Sequence, residues 1–233
     1  MAKICYICTV IITVEIVNLK ISEAKFAGSS TRVAGRPRRH LPEFAFIGRS
    51  NVGKSSLINM LCDNSRLAMT SATPGKTKLV NHFLINDSWY LVDLPGYGYA
   101  KTDKKGKEEI AVVIKDYITG SEDLACLFVL IDSRHDIGHI DIDFISELGE
   151  HGIPFAIIMT KTDKQGPNVL AERLQRNAAI LSEQWEQLPV VLCSSSQTKK
   201  GKEEILSYIN SILTNIKEEY NHVTFTQTGI VRL

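Results

Sequence analysis

Gly48-Arg49-Ser50-Asn51-Val52-Gly53-Lys54-Ser55 follows the apolar run Phe44-Ala45-Phe46-Ile47 and precedes Leu57, Ile58 and Leu61 at helical spacing. This is a G-x-x-x-x-G-K-S pattern set between a strand and a helix, the context it needs in order to work. The glycines let successive backbone N–H groups curl round a phosphate. Lys54 reaches the outer phosphates, and Ser55 offers its hydroxyl to Mg²⁺ at the positive end of the helix.

Outward from this loop, short apolar runs alternate with helix-length polar segments. The runs are Phe44 to Ile47, Leu79 to Ile85, Trp89 to Val92, Leu124 to Ile131, Phe155 to Met159 and Val190 to Leu192. Between most of them lie residues spaced for one helix face, such as Ile110, Val113, Ile114 and Tyr117, or Leu170, Leu174, Ala178 and Leu181. Strand and helix in alternation require crossover connections, hence a largely parallel sheet with helices on both faces. Only the pair flanking Asn86-Asp87 is close enough for a hairpin, which predicts one antiparallel strand at an edge. The expected fold is α/β and three-layered, with a mostly parallel six-stranded sheet, one antiparallel edge strand and helices on both faces.

In such sheets ligands bind at the carboxyl ends of the strands, and the polar motifs do fall there. Asp93-Leu94-Pro95-Gly96 follows the run Trp89 to Val92; an aspartate at a strand end can hold a water of Mg²⁺, and a glycine N–H can meet a γ-phosphate. Thr160-Lys161-Thr162-Asp163 follows Phe155 to Met159. A carboxylate at Asp163 can accept two hydrogen bonds from N1–H and the exocyclic amine of guanine, a donor pair that adenine lacks. The stem of Lys161 can lie over the base. After Val190-Val191-Leu192 comes Cys193-Ser194-Ser195-Ser196-Gln197, whose backbone can approach guanine O6, although a serine run of this kind also reads as an ordinary polar turn.

Composition bounds the rest. The chain has 233 residues, 27 Lys plus Arg against 26 Asp plus Glu, and 44% hydrophobic residues, which is enough apolar material for a core and excludes a disordered chain. A net charge of +1 gives no overall argument for a polyanion partner; the basic runs Arg32 to His40, Lys101 to Lys107 and Lys199 to Lys202 are the local ones. Five cysteines, an odd number, do not form a disulfide framework and suit a reducing compartment. The apolar stretch Ile4 to Val14 is too short for ~30 Å of hydrocarbon and is closed by Glu15, so it reads as extended or disordered chain. Cys5 and Cys8 within it are a lone C-x-x-C, and His135 with His139 near Asp132, Asp136 and Asp141 reads as surface histidines on a loop rather than a zinc site.

GRSNVGKSS (Gly48 to Ser56), TPGKTKLVN (Thr73 to Asn81), DLPGYGYAK (Asp93 to Lys101), TKTDK (Thr160 to Lys164) and SSSQTKKGK (Ser194 to Lys202), in this order, resemble the EngB family of bacterial ribosome-assembly GTPases. That family has the Ras-like P-loop NTPase fold, and the resemblance runs from about Ile21 to Glu219. It implies a division into an N-terminal extension (1–20), a linker and lead-in strand (21–42), a GTPase domain (43–219) and a C-terminal tail (220–233). It implies a nucleotide site built from Gly48 to Ser55, Gly75, Lys76, Thr77, Lys78, Leu79, Asp93 to Gly96, Thr160 to Asp163 and Ser194 to Ser196. Thr77 would be the switch threonine joining Ser55 on Mg²⁺, with Asp93 acting through water, and Lys54, Thr77 and Gly96 would serve catalysis.

Where Ras-type sites carry a glutamine that orients the attacking water, this sequence has Tyr97. A phenol lacks that donor and acceptor pair, so intrinsic hydrolysis is expected to be slow. Asn51 either helps to hold a K⁺ that takes the place of an arginine finger or only supports the loop turn. The resemblance further implies a cytoplasmic monomer, bound in its GTP state to a late precursor of the large ribosomal subunit (rRNA and ribosomal proteins), with no stable membrane association and with a part in septation and cell division. The competing classes are a membrane-linked or otherwise non-ribosomal GTPase and a P-loop ATPase or nucleotide kinase.

Overall fold

The computed structural model describes residues 19–68, 79–98 and 104–228, with side chains to residue 219. The expectations placed on 1–18, on Gly75 to Lys78 and on 229–233 fall outside these residues. The chain divides into two compact units: Ile21–Lys202, and one that carries the last helix beyond its first residue.

In the larger unit the strands are β1 (Ala24–Ser30), β2 (Glu43–Gly48), β3 (Val80–Ile85), β4 (Trp89–Asp93), β5 (Leu124–Asp132), β6 (Phe155–Thr160) and β7 (Val191–Cys193). They form one sheet in the order β1-β3-β4-β2-β5-β6-β7. β4, β2, β5, β6 and β7 pair in parallel, while β3 runs antiparallel to both of its neighbours. The α/β class holds, and the sheet has seven strands where the apolar runs predict six. β1 takes the edge, so the antiparallel strand lies one place inside it. The sequence AKFAGSS is mostly exposed and carries no apolar run; it is held by backbone pairing to β3, with a bulge between Phe26 and Gly28. The three-residue hairpin connection between β3 and β4 has Asn86 at φ 48° and Asp87 at φ 54°, a left-handed pair closed by Ser88 N–H donating to Ile85 O at 2.9 Å.

Helices α1 (Lys54–Leu61), α2 (Lys104–Gly120), α3 (His139–Glu150) and α4 (Pro167–Ser182) fill the crossovers. Alternate residues of the central strands divide between the two faces of the sheet. Ala45, Ile47, Val129 and Ile157 join a buried cluster with Ile110 and Ile114 of α2, Ile145 and Leu148 of α3 and Leu181 of α4. Phe44 and Phe46 turn the other way and stack against Phe128, with Trp89 edge-on to Phe44. Leu57, Ile58 and Leu61 of α1 are buried outside the first cluster. In the other unit, α5 (Lys202–Thr228) carries Ile205, Ile209 and Leu213 at helical spacing and continues through residues 220–228.

At the start of β2, five residues before the phosphate-loop end of that strand, Glu43 is buried. Its Oε2 accepts from Tyr117 Oη at 2.6 Å and Ser121 Oγ at 2.7 Å, and His82 Nε2 lies 3.4 Å from Oε1. Burial alone would raise the Glu43 carboxyl, but the contacts with His82, Tyr117 and Ser121 outweigh it and hold the group below the ordinary carboxylate range. A carboxyl whose value is depressed by folding stabilises the native state above about pH 4 and loses that contribution as pH falls further. Glu43→Gln is therefore expected to flatten the acid limb of the stability curve and, at neutral pH, to cost about 1–3 kcal/mol from weakened buried hydrogen bonds. Urea unfolding at pH 7 and at a series of pH values below 4 checks both; an unchanged acid limb would remove Glu43 from the titration.

Candidate functional site

The carboxyl ends of β2, β4, β5, β6 and β7 meet on one edge of the sheet, and the polar motifs stand there. From the end of β2 the chain turns through Arg49 to Gly53 into α1. Asn51 (φ 64°) and Gly53 (φ 105°) are left-handed, and Gly53 is the last residue before the helix. A left-handed residue there lets the backbone fold under its own N–H groups, and glycine carries that geometry without a steric penalty. Among the described residues no side chain caps α1 and no acidic residue stands in its first turn. The N–H groups of that turn are thus available to an anion. Ser50 Oγ is buried in the loop with no hydrogen-bond partner among the described residues. These features fit a phosphate group.

Lys54 projects from the first turn of α1 and ion-pairs with Asp93, which closes β4 and is itself buried. The two charges face the same space, where each could be drawn to a phosphate or a cation. Ser55 follows Lys54 on the same turn, so the oxygen donors of Ser55 and Asp93 suit a hard divalent ion such as Mg²⁺. Thr77, the third expected ligand, lies outside the described residues, as do Gly75, Lys76 and Lys78. Leu79 is described and is exposed at the entry to β3.

Two backbone hydrogen bonds seat the segment after Asp93 against the phosphate loop: Leu94 N–H to Phe46 O at 3.0 Å and Tyr97 N–H to Gly48 O at 3.2 Å. Leu94, Pro95 and Gly96 are buried along this seam. Tyr97 then turns its ring away toward α3. The ring stacks on Phe144 with centroids 4.7 Å apart, and its hydroxyl donates to Asp141 Oδ1 at 2.9 Å. Burial and the Asp141 carboxylate push the phenol well above its ordinary value. Arg49 reaches to the same carboxylate, 3.9 Å from Oδ2.

The base-loop residues close the other side. Thr160 Oγ1 donates to Val52 O at 2.7 Å, which ties β6 to the phosphate loop. Lys161, left-handed at φ 58°, sends its Nζ to Asn51 O at 2.6 Å. Thr162 N–H donates to Ser194 O at 3.2 Å, and Ser195 Oγ donates to Asp163 Oδ1 at 2.6 Å. The Ser195 hydroxyl, helped by Lys164 at 3.1 Å, holds the Asp163 carboxyl below the usual carboxylate range. The serine loop is no ordinary turn. Gly201 (φ 82°) passes so close that a Cβ there would stand 1.9 Å from Cys193 O, and Ser195 N–H donates to Lys200 O at 3.0 Å. Ser196 is half-buried beside it.

Two carboxylates at this edge were noted in the sequence only as neighbours of His135 and His139. Asp132 stands on Lys161 and Asp141 on Tyr97. Both histidines are exposed, and among the described residues no group of three or more His, Cys, Asp and Glu is placed to hold a metal ion. The signal for Asp132 was its place: it ends a parallel strand as Asp93 does.

This fold, with a phosphate loop, a D-x-x-G segment and a T-K-x-D base loop on one sheet edge, defines a P-loop GTPase. A family model described as 50S ribosome-binding GTPase matches residues 43–161. A probable GTP-binding protein EngB of Phocaeicola vulgatus is 54% identical over 199 residues, covering 85% of this chain and 100% of the relative. Another from Bacteroides thetaiotaomicron is 55% identical over 194 residues, covering 83% of this chain and 96% of the relative. Among solved structures, a probable GTP-binding protein engB superposes with a TM-score of 0.56 at 23% identity, over 74% of this chain and 99% of that one. Era in complex with MgGDPNP and a segment of 16S ribosomal RNA gives 0.58 at 19% identity, over 74% and 56%. The chain belongs to the EngB family of GTP-binding proteins.

Proposed function

We propose that this protein is a GTP-operated switch in late assembly of the large ribosomal subunit, with slow Mg²⁺-dependent hydrolysis as its reset step. Family membership and the 50S ribosome-binding match support the ribosomal assignment. The observation that carries the switch reading is Tyr97: the residue after D-x-x-G is a phenol committed to Asp141 rather than a group free to orient water. A site that binds GTP with a phosphate loop but lacks the water-orienting group keeps the GTP state long enough to be read.

In this reading the N–H groups of Asn51 to Ser55 and the Lys54 ammonium hold the β- and γ-phosphates and neutralise the charge that develops on transfer. Gly96 N–H meets the γ-phosphate. Ser55, Thr77 and Asp93 would hold Mg²⁺, and the metal when bound would neutralise charge on the phosphate oxygens. Asp163 reads N1–H and the exocyclic amine of guanine, Lys161 lies along the base, and the Ser194 to Ser196 backbone approaches O6. Docking on the large-subunit precursor belongs to the GTP state, release follows hydrolysis, and the cycle is linked to normal septation and division. The protein acts as a cytoplasmic monomer; among the described residues no helix is long and apolar enough to cross a membrane.

Turnover of GTP in K⁺ and in Na⁺ at equal ionic strength, with and without Mg²⁺, tests the chemistry. Hydrolysis is expected to be slow and to vanish when Mg²⁺ is chelated; turnover that survives chelation would overturn the metal assignment. A faster rate in K⁺ gives Asn51 a cation, and equal rates leave it the turn that its φ of 64° already supports.

A further inference from the structure

Asp132 closes β5 between the phosphate loop and the base loop. Its Oδ2 accepts from Lys161 Nζ at 2.9 Å and from Arg134 Nη2 at 2.7 Å, and its Oδ1 accepts from Arg134 Nε at 3.0 Å. The ammonium of Lys161 has one further partner here, the Asn51 carbonyl. The strand ends are locked alongside: Asp132 pairs with Thr160 in the sheet register, and Ser133 N–H donates to Thr160 O at 3.0 Å. Lys161 itself sits in the left-handed region, which a non-glycine residue keeps only where its surroundings enforce it.

We infer that Asp132 is a positioning residue of the guanine site: by fixing the Lys161 ammonium against the phosphate loop it keeps the stem of that lysine over the base. The inference rests on the reading that Lys161 and Asp163 hold guanine. Four groups form one chain of contacts, Arg134 to Asp132 to Lys161 to the Asn51 carbonyl: the Lys161 ammonium bridges the base loop to the phosphate loop, and the Asp132 carboxylate holds that ammonium from the end of β5. Burial alone would raise the Asp132 carboxyl, but the hydrogen bonds from Arg134 and Lys161 outweigh it and hold the group well below the usual carboxylate range. The anchor therefore stays charged at neutral pH. Because the lysine meets the base and not the transferred phosphate, loss of the anchor weakens GDP and GTP alike.

The test is release of fluorescent GDP from the full chain carrying Asp132→Ala or the isosteric Asp132→Asn, each made alone and with Lys161→Met. Alone, Asp132→Ala is expected to speed release about tenfold, as loss of one charge-assisted contact implies, and to raise KM for GTP more than it lowers kcat. On the Lys161→Met background the same change is expected to add nothing, since the group it positions is gone. Asp132→Asn keeps the shape without the charge and gives a smaller change of the same kind, which serves should the alanine variant fail to fold. Release at the parent rate, or equal acceleration with and without Lys161, would overturn the proposal. An Asp163→Asn control separates the two readings: if it loses GDP for xanthosine diphosphate while the Asp132 variants behave as their parents, the guanine site stands and the Asp132 role falls. If it keeps GDP, the base-site reading itself fails.

Discussion

Asp163→Asn is expected to weaken GTP binding about 10³-fold and to turn the preference toward xanthosine triphosphate. The carboxylate offers two acceptors to two donors on the guanine edge, and hydrogen bonds to a charged partner contribute about 1.5–3 kcal/mol each. An asparagine presents one acceptor and one donor, so one guanine donor meets an N–H, while xanthine, with an oxygen in place of the amine, now fits. Ser195 Oγ donates to one Asp163 carboxylate oxygen and Lys164 lies 3.1 Å from the other, which fixes the plane of the group. Titrations with GTP, xanthosine triphosphate and ATP check the outcome. Undiminished preference for GTP would remove Asp163 from base reading, and undisturbed use of ATP would return the protein to the wider class of P-loop ATPases and kinases.

The second large effect is expected at Lys54. Lys54→Met should lower GTP turnover by about 10²–10³-fold, the usual cost of removing one group aimed at developing charge. The same change strands Asp93, a buried carboxylate at the end of β4 whose ion pair is with this lysine. Removing one partner of a buried pair leaves an uncompensated charge, so a loss of stability should accompany the loss of rate. Phosphate release under single-turnover conditions measures the first and thermal unfolding the second. Pairing Lys54→Met with Asp93→Asn should restore part of the stability and none of the turnover; recovery of turnover would mean that Lys54 acts only as a counter-ion.

Much of this site is legible in the sequence because each motif is local and follows a strand. The G-x-x-x-x-G-K-S loop, Asp93 at the end of β4 and Thr160 to Asp163 at the end of β6 all sit where an apolar run stops, and Asn86-Asp87 marks its own turn. What escapes is set by long-range contact. β1 falls within the expected lead-in segment 21–42, but an exposed edge strand held by backbone pairing to β3 has no apolar period that would fix its bounds or its place in the sheet. Asp132 and Asp141 are single carboxylates whose partners, Lys161 and Tyr97, lie 29 and 44 residues away. The sequence shows a phenol at Tyr97, but not that its ring stacks on Phe144 or that its hydroxyl donates to Asp141. The buried Glu43, likewise, is charged and stands at the head of an apolar strand; its partners on β3 and α2 become visible only when the sheet closes.

In the proposed cycle GTP controls attachment to the large ribosomal subunit. Sedimentation of cell extract through a gradient, once with GDP and once with a non-hydrolysable GTP analogue, tests it most directly. The protein is expected to travel with the large-subunit fraction in the analogue and to stay near the top in GDP, with binding that weakens as salt rises. Equal co-sedimentation in both nucleotides, or none in either, would contradict it.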